Sequence, residues 1–199
     1  MVADFSDRNS YSGTNSDFLR LSQIWKSNLS DKLILKAGSY QIINTAETDF
    51  SAIEQGIKQQ QKLENKTPII IGFADFNLKS KFGVSDFGTR FHSIEQKNEN
   101  KTFIQSSNIN APFSYNEKVL SFYINHTYQI SEKKSIVAGI RTESTFSDYT
   151  FENNILAQKV QDKQNYTNLL FNAGYYWNNE KTYQSIAIRK QISRPNYSY

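Results

Sequence analysis

The sequence from 119 to 148 carries the clearest structural signal in the chain, because its apolar residues recur at every second position. Leu120, Phe122 and Ile124 alternate with polar residues, and the pattern resumes in SIVAGIRTESTFSD after the polar run SEKK. Period-two alternation puts one set of side chains on each face of a β-strand, and apolar residues do not recur here at helical spacing. The stretch predicts two strands joined by a four-residue turn.

The same unit recurs along the chain and predicts an all-β, antiparallel up-and-down meander of about eight long strands. We place the hairpins at about 17–47, 69–96, 118–150 and 166–199, with residues 1–16 as a loop. Short turns are predicted near residues 30, 80, 132 and 179, and long polar connections over 50–68, 97–117 and 152–165. Strict alternation of short and long connections is typical of outer-membrane barrels, as are predicted strands of about 11–16 residues.

Composition excludes several other classes of protein. The chain has no cysteine, which excludes a disulfide framework or a thiolate metal site, and its scattered basic residues form no stripe that suits nucleic acid. His92 and His126 lie far apart, without partners at metal spacing, and no nucleophile elbow or phosphate loop is present. We therefore expect no catalytic, cofactor or metal residues, and no enzymatic activity.

Two groups of residues are candidates for functional positions on a barrel wall. Arg141 and Glu143 lie on the strand face opposite Ile136, Ala138 and Ile140, and Arg189 is placed similarly. If the apolar face meets lipid, these charged residues face the lumen, either as a structural charge network or as contacts to a plug or ligand. Aromatic residues near the short turns predict a girdle at the membrane interface: Trp25, Phe76, Tyr128, Trp177 and Tyr183.

The last third of the chain resembles the barrel region of TonB-dependent outer-membrane receptors. The resemblance is carried by NEKVLSFYINHTYQI at 116–130, by Ala-Gly-Ile-Arg-x-Glu at 138–143, and by a closing run that contains Arg189, Arg194, Pro195 and Tyr197. It implies uptake of a scarce nutrient through a large barrel in the outer membrane of a Gram-negative bacterium. The implied partners are outer-membrane lipid, a plug domain, the TonB system and a surface lipoprotein.

The positions of the turns predict an incomplete barrel. If the short turns are periplasmic, both predicted chain ends point outward, whereas an even-stranded bacterial barrel normally has both termini in the periplasm. We therefore expect 1–199 to be a single incomplete barrel segment that is inactive without the plug and remaining strands. Two alternatives stay open: a small structural or adhesive outer-membrane barrel, and a soluble β-sandwich that binds carbohydrate.

Overall fold

The chain forms one antiparallel sheet. The computed structural model describes residues 9–54, 57–104, 107–154, 157–179 and 182–192, so Arg194, Pro195 and Tyr197 lie outside the described residues. The strands are β1 Asn9–Asn28, β2 Leu33–Glu54, β3 Ile57–Ser80, β4 Gly83–Ile104, β5 Ser107–Asn110, β6 Phe113–Ser131, β7 Lys134–Asn153, β8 Gln158–Asn178 and β9 Tyr183–Arg189. Their spatial order is β1-β2-β3-β4-β6-β7-β8-β9, with the short β5 paired to β4. The all-β meander predicted from the sequence is confirmed.

Short turns join the strands at the four positions that the sequence predicts, near residues 30, 80, 132 and 179. The turn between β3 and β4 requires glycine at Gly83, whose φ is +128°. A Cβ atom there would also lie 1.9 Å from the carbonyl oxygen of Thr127 in β6. The turn therefore packs directly against the next hairpin.

The predicted long connections are wrong, because the structure extends the strands through them. Residues 9–16 belong to β1, and β2 and β3 together take in all of 50–68 except residues 55 and 56. The main strands have 19–24 residues instead of 11–16. At about 3.3 Å per residue β3 is about 80 Å long, whereas a tilted membrane span needs only about 9–11 residues.

A period-two signal runs through these extensions, but it alternates charge with amide instead of apolar with polar. Residues 95–102, for example, read Glu-Gln-Lys-Asn-Glu-Asn-Lys-Thr. The strand ladder continues without a shift of register, from Ser80 paired with Gly83 to Gln59 paired with Ile104. Strands with two polar faces persist here because cross-strand backbone bonds and side-chain pairs stabilise them.

The sheet has very little hydrophobic core. Among the described residues the buried hydrophobic side chains are Ala52, Ile94 and Val119. Most large apolar side chains are exposed instead, including Phe122 at 53% and Ile188 at 64%. The described residues contain no helix long and apolar enough to cross a membrane. A contiguous apolar surface of this size requires an apolar environment outside the chain.

Candidate functional site

The register of the sheet separates an apolar face from a polar face in the half of each strand nearest the short turns. Residues directly opposite one another in antiparallel strands share a face. The apolar face carries large exposed side chains from eight strands: Leu19, Leu21, Ile43, Ile70, Phe91, Leu120, Phe122, Ile124, Ile136, Ile140, Leu169, Phe171, Ile186 and Ile188. The polar face carries charged and amide side chains at the same height. This arrangement resembles the wall of a membrane barrel, which is apolar only on its lipid side.

A cavity of about 500 Å³ lies on the polar face where β4, β6, β7, β8 and β9 run side by side. Arginines from three strands line it, Arg90, Arg141 and Arg189, together with the phenol of Tyr123. We take this cavity as the candidate functional site because it contains all three charged residues that the sequence singles out. These three residues are Arg141, Glu143 and Arg189.

Arg141 and Glu143 form an ion pair within the cavity. The Nη2 atom of Arg141 lies 2.6 Å from Oε2 of Glu143, and it donates a second hydrogen bond to Oγ of Ser121 at 3.2 Å. The side chain of Glu143 is only 5% exposed and that of Arg141 is 39% exposed. A carboxylate buried to this degree needs its cation, so removal of Arg141 alone would leave an uncompensated charge in the sheet.

Arg90, Asp75 and Tyr123 form a second polar group that sequence reasoning missed. The hydroxyl of Tyr123 donates to Oδ1 of Asp75 at 2.5 Å, and Nη2 of Arg90 lies 3.6 Å from Oδ2 of the same carboxylate. The guanidinium carbon of Arg90 is 5.6 Å from the centroid of the Tyr123 ring. The three residues are 15 and 33 positions apart in the chain, so only the strand register brings them together.

Two glycines make these contacts possible. Gly88 lies between Asp75 and Tyr123 in the ladder, and a Cβ atom there would lie 3.0 Å from Oδ1 of Asp75. Gly139 lies in the same way between Asn125 and Asn172, whose Oδ1 atoms would be 1.8 and 2.3 Å from a Cβ atom. The side chains on either side therefore reach across the middle strand through space that any other residue would occupy.

Arg189 differs from the other two arginines of the cavity. It lies opposite Asn172 at the end of β9 and is exposed. Within the described residues it forms no ion pair with an acidic side chain, whereas Arg90 and Arg141 each have one.

Most of the aromatic residues predicted for the membrane interface lie on the apolar face. Trp25, Tyr128 and Trp177 are 71%, 46% and 37% exposed, and Phe76 stacks on Phe87 with the ring centroids 5.1 Å apart. Tyr183 departs from the prediction. It pairs with Asn178 on the polar face, and its ring centroid lies 6.3 Å from that of Tyr176.

In the strand extensions the apolar face gives way to a charged face. Nζ of Lys62 lies 2.6 Å from Glu47 and 3.0 Å from Glu64, and Lys101 lies 2.9 Å from Glu99. The hydrogen bond to Glu47, and then that to Glu64, raises the pKa of Lys62 above its usual range, and Lys62 in turn lowers the pKa of Glu64. These pairs are solvent-exposed, so each contributes little stability on its own.

The described residues contain no cluster of three potential metal ligands. His126, one of the two histidines, lies on the apolar face, where Nδ1 is 2.8 Å from Oγ of Ser85. His92 lies on the opposite face, and its neighbours in the ladder are Ile71 and Val119.

Comparison with known proteins identifies one family and a shared fold. The sequence matches the outer membrane protein beta-barrel family over residues 40–199. The fold is similar to that of the ferric yersiniabactin uptake receptor FyuA from Yersinia pestis, with a TM-score of 0.63 at 13% identity over 88% of this chain and 27% of that one. It is also similar to the ferric citrate transporter FecA, with a TM-score of 0.60 at 8% identity over 88% of this chain and 27% of that one.

A third similar structure is the siderophore receptor PiuA from Acinetobacter baumannii, with a TM-score of 0.58 at 11% identity over 89% of this chain and 32% of that one. The chain therefore spans about a third or less of the length of these three receptors. No curated protein matches it in sequence.

Proposed function

This chain belongs to the outer membrane protein beta-barrel family of the Gram-negative outer membrane, and we propose that it forms part of the barrel wall of a TonB-dependent nutrient receptor. In this proposal the remaining strands close the barrel and a plug domain fills its lumen. The chain alone is then inactive. Its role is transport, and catalysis has no part in it.

The two-faced sheet is the observation that carries the proposal. Large apolar side chains are exposed on one face, from Leu19 in β1 to Ile188 in β9, while the other face holds Arg90, Arg141 and Arg189. A soluble sandwich would bury its apolar face against a second sheet. A barrel wall instead turns that face to lipid and its polar face to the lumen.

The three arginines have different roles in this proposal. Arg141, paired with the buried Glu143, holds the wall together. Arg189, which is exposed on the polar face, contacts a carboxylate of the plug or of the passing ligand. The long strand extensions lie outside the membrane, where a surface lipoprotein would meet them.

Fractionation of cells that express the full reading frame around this chain tests the proposal. We expect a heat-modifiable barrel in the outer membrane, with coding sequence for a plug and further strands beside residues 1–199. Nutrient-limited growth should depend on the gene and on TonB. A soluble product, or growth that does not change when TonB is deleted, would contradict the proposal.

Replacement of single arginines separates their roles. Arg189→Gln should reduce uptake and leave the amount of folded barrel unchanged, whereas Arg141→Gln should reduce the amount of folded barrel. Equal effects of the two substitutions on folding would refute the assignment of Arg189 to a plug or ligand contact.

A further inference from the structure

We propose that the strand extensions form a binding surface for an uncharged oligosaccharide. The surface is the amide–aromatic patch, which consists of Asn65, Gln96, Asn98 and Asn100 on β3 and β4 and Phe113, Tyr115, Tyr149 and Phe151 on β6 and β7. The inference rests on the proposed function, since it takes the polar face of the sheet to be the lumenal one.

The register assembles the patch in transverse rows. Asn65 lies opposite Asn98, which lies opposite Phe113, which lies opposite Phe151. In the next row Gln96 lies opposite Tyr115, and Tyr115 lies opposite Tyr149. The first row crosses four neighbouring strands, and the second crosses three. At about 4.8 Å per strand the patch is about 14 Å wide.

Charge is segregated between the two faces of these extensions. On β3, β4, β6 and β7 the opposite face carries eleven charged side chains: Lys58, Lys62, Glu64, Lys66, Glu95, Lys97, Glu99, Lys101, Lys118, Asp148 and Glu152. On the face of the patch the same strands carry one, Glu117, and the neighbouring strand β8 adds Asp162 opposite Tyr149. Two faces in the same solvent would have no reason to differ in this way. The difference indicates that the amide face meets an uncharged partner.

The side chains of the patch offer the groups that a sugar needs. A carboxamide carries both donors and acceptors and can bond to neighbouring hydroxyls, and an aromatic ring offers an apolar surface to the C–H face of a sugar ring. One of these amides is already ordered, since Nε2 of the neighbouring Gln61 donates to Oδ1 of Asn100 at 3.1 Å. This order reduces the entropy that binding would cost.

Two buried oxygens, one in the patch and one beside it, have unused capacity to accept hydrogen bonds. Oδ1 of Asn98 and Oε1 of Glu117 have no hydrogen-bond partner among the described residues. Glu117 is 4% exposed, and its other oxygen accepts a hydrogen bond from the hydroxyl of Tyr115 at 2.9 Å. A buried acceptor without a donor is costly. Both atoms are inaccessible to solvent, so a sugar hydroxyl supplies the missing donor only after the side chains that cover them move aside.

Binding of neutral oligosaccharides to the full receptor in detergent tests the inference. The probes are gluco-, manno-, galacto- and xylo-oligomers of four to eight residues, with ferric citrate as an anionic comparison. We expect saturable binding of at least one neutral oligomer. Tyr149→Ala and Asn98→Leu should each weaken its binding at least tenfold.

A matched control comes from the opposite face. Asn116 lies on β6 among the charged side chains and pairs with Asp148. Asn116→Leu should change the dissociation constant less than twofold, and heat-modifiable mobility should show that all three variants are folded. Equal loss of binding in Asn116→Leu and Asn98→Leu, or binding that no patch variant changes, would overturn the inference.

The outcome also separates this inference from the proposed function. A receptor that is folded, located in the outer membrane and TonB-dependent, but binds ferric citrate and no neutral oligomer, overturns the oligosaccharide site alone. A product that never reaches the outer membrane overturns the proposed function and with it the basis for the patch.

Discussion

A charge introduced on the apolar face should reveal the depth of each position in the membrane. Lys134 begins β7, so Ile140 lies about 20 Å along the strand and, at a tilt of about 40°, about 15 Å from the turn. That is near the middle of an apolar band about 25 Å tall. Ile136, on the same face, lies only about 5 Å from the turn by the same estimate.

Ile140→Arg should therefore cost about 2–4 kcal/mol of folding free energy, and Ile136→Arg about 0–1 kcal/mol. The first figure corresponds to a change of roughly 30- to 700-fold in the folding equilibrium. Ile140 is 47% exposed, so most of the penalty comes from placing the guanidinium in lipid, and little of it from lost packing within the sheet.

Equilibrium denaturant unfolding of the full receptor in phospholipid vesicles measures both values. Val137→Arg is the control for the choice of face, because Val137 is adjacent in β7 but on the polar face, opposite Thr127 and Gly174. We expect it to cost less than Ile140→Arg. If Val137→Arg were the more damaging change, or if the two isoleucine variants were equal, the assignment of the apolar face to lipid would be refuted.

Three further predictions concern the polar contacts. Arg141→Met should cost about 2–3 kcal/mol, less than loss of a fully buried partner because Arg141 is 39% exposed, and Glu143→Gln in the same chain should restore part of it in denaturant unfolding. Gly88→Val should destabilise the barrel, because its side chain would displace Asp75 from the hydroxyl of Tyr123. Tyr123→Phe removes the same hydrogen bond, so it should cost less in the Gly88→Val background than it does alone, and additive costs in the double-mutant cycle would contradict this. Because hydrogen bonds to Glu47 and Glu64 raise the folded pKa of Lys62, its stabilisation is present below the usual value of 10.5 and is lost as pH rises through the folded pKa. Denaturant unfolding at matched pH should therefore show a small stability difference between the wild type and Lys62→Met at neutral pH that shrinks above pH 10.5, and a difference that does not change with pH would contradict this.

The part of the fold within the apolar band could be predicted from the sequence because each strand there has one apolar face. Leu120, Phe122 and Ile124 show the period of two directly, and the polar turns mark where each strand ends. The extensions could not be found by the same criterion, since both of their faces are polar. Hydropathy has no period in residues 95–102, but charge does, with Glu95, Lys97, Glu99 and Lys101 at every second position. A strand with two solvent-exposed faces can therefore be predicted from the alternation of charged and uncharged residues.

The candidate site was predictable only in part, for a related reason. Arg141 and Glu143 lie two positions apart on one strand, so periodicity alone places them on one face. Asp75 and Tyr123 meet across Gly88, and that contact depends on the register of three strands, which no local pattern specifies. Tyr183 shows a different limit of sequence reasoning, because it was chosen as an interface aromatic only for its nearness to a turn. Nearness to a turn does not decide which face a side chain takes, and pairing with Asn178 puts Tyr183 on the polar face.

Because the strands are long, the amide–aromatic patch and the arginine-lined cavity lie on one continuous polar face. Ile94, Glu117 and Ser147 lie in a single row of the ladder, between the amide–aromatic patch and the row of Arg90 and Ser121. If this face lines the lumen, an entering ligand meets the amide–aromatic patch before the cavity that the three arginines line. Selection by hydroxyl and ring contacts would then precede any contact with Arg189. A receptor for anionic chelates needs no such neutral entrance, since cationic side chains at the rim would attract its ligand from a distance. The charges of β3 and β4 lie instead on the opposite face, so these two strands offer an anion no such attraction at the patch.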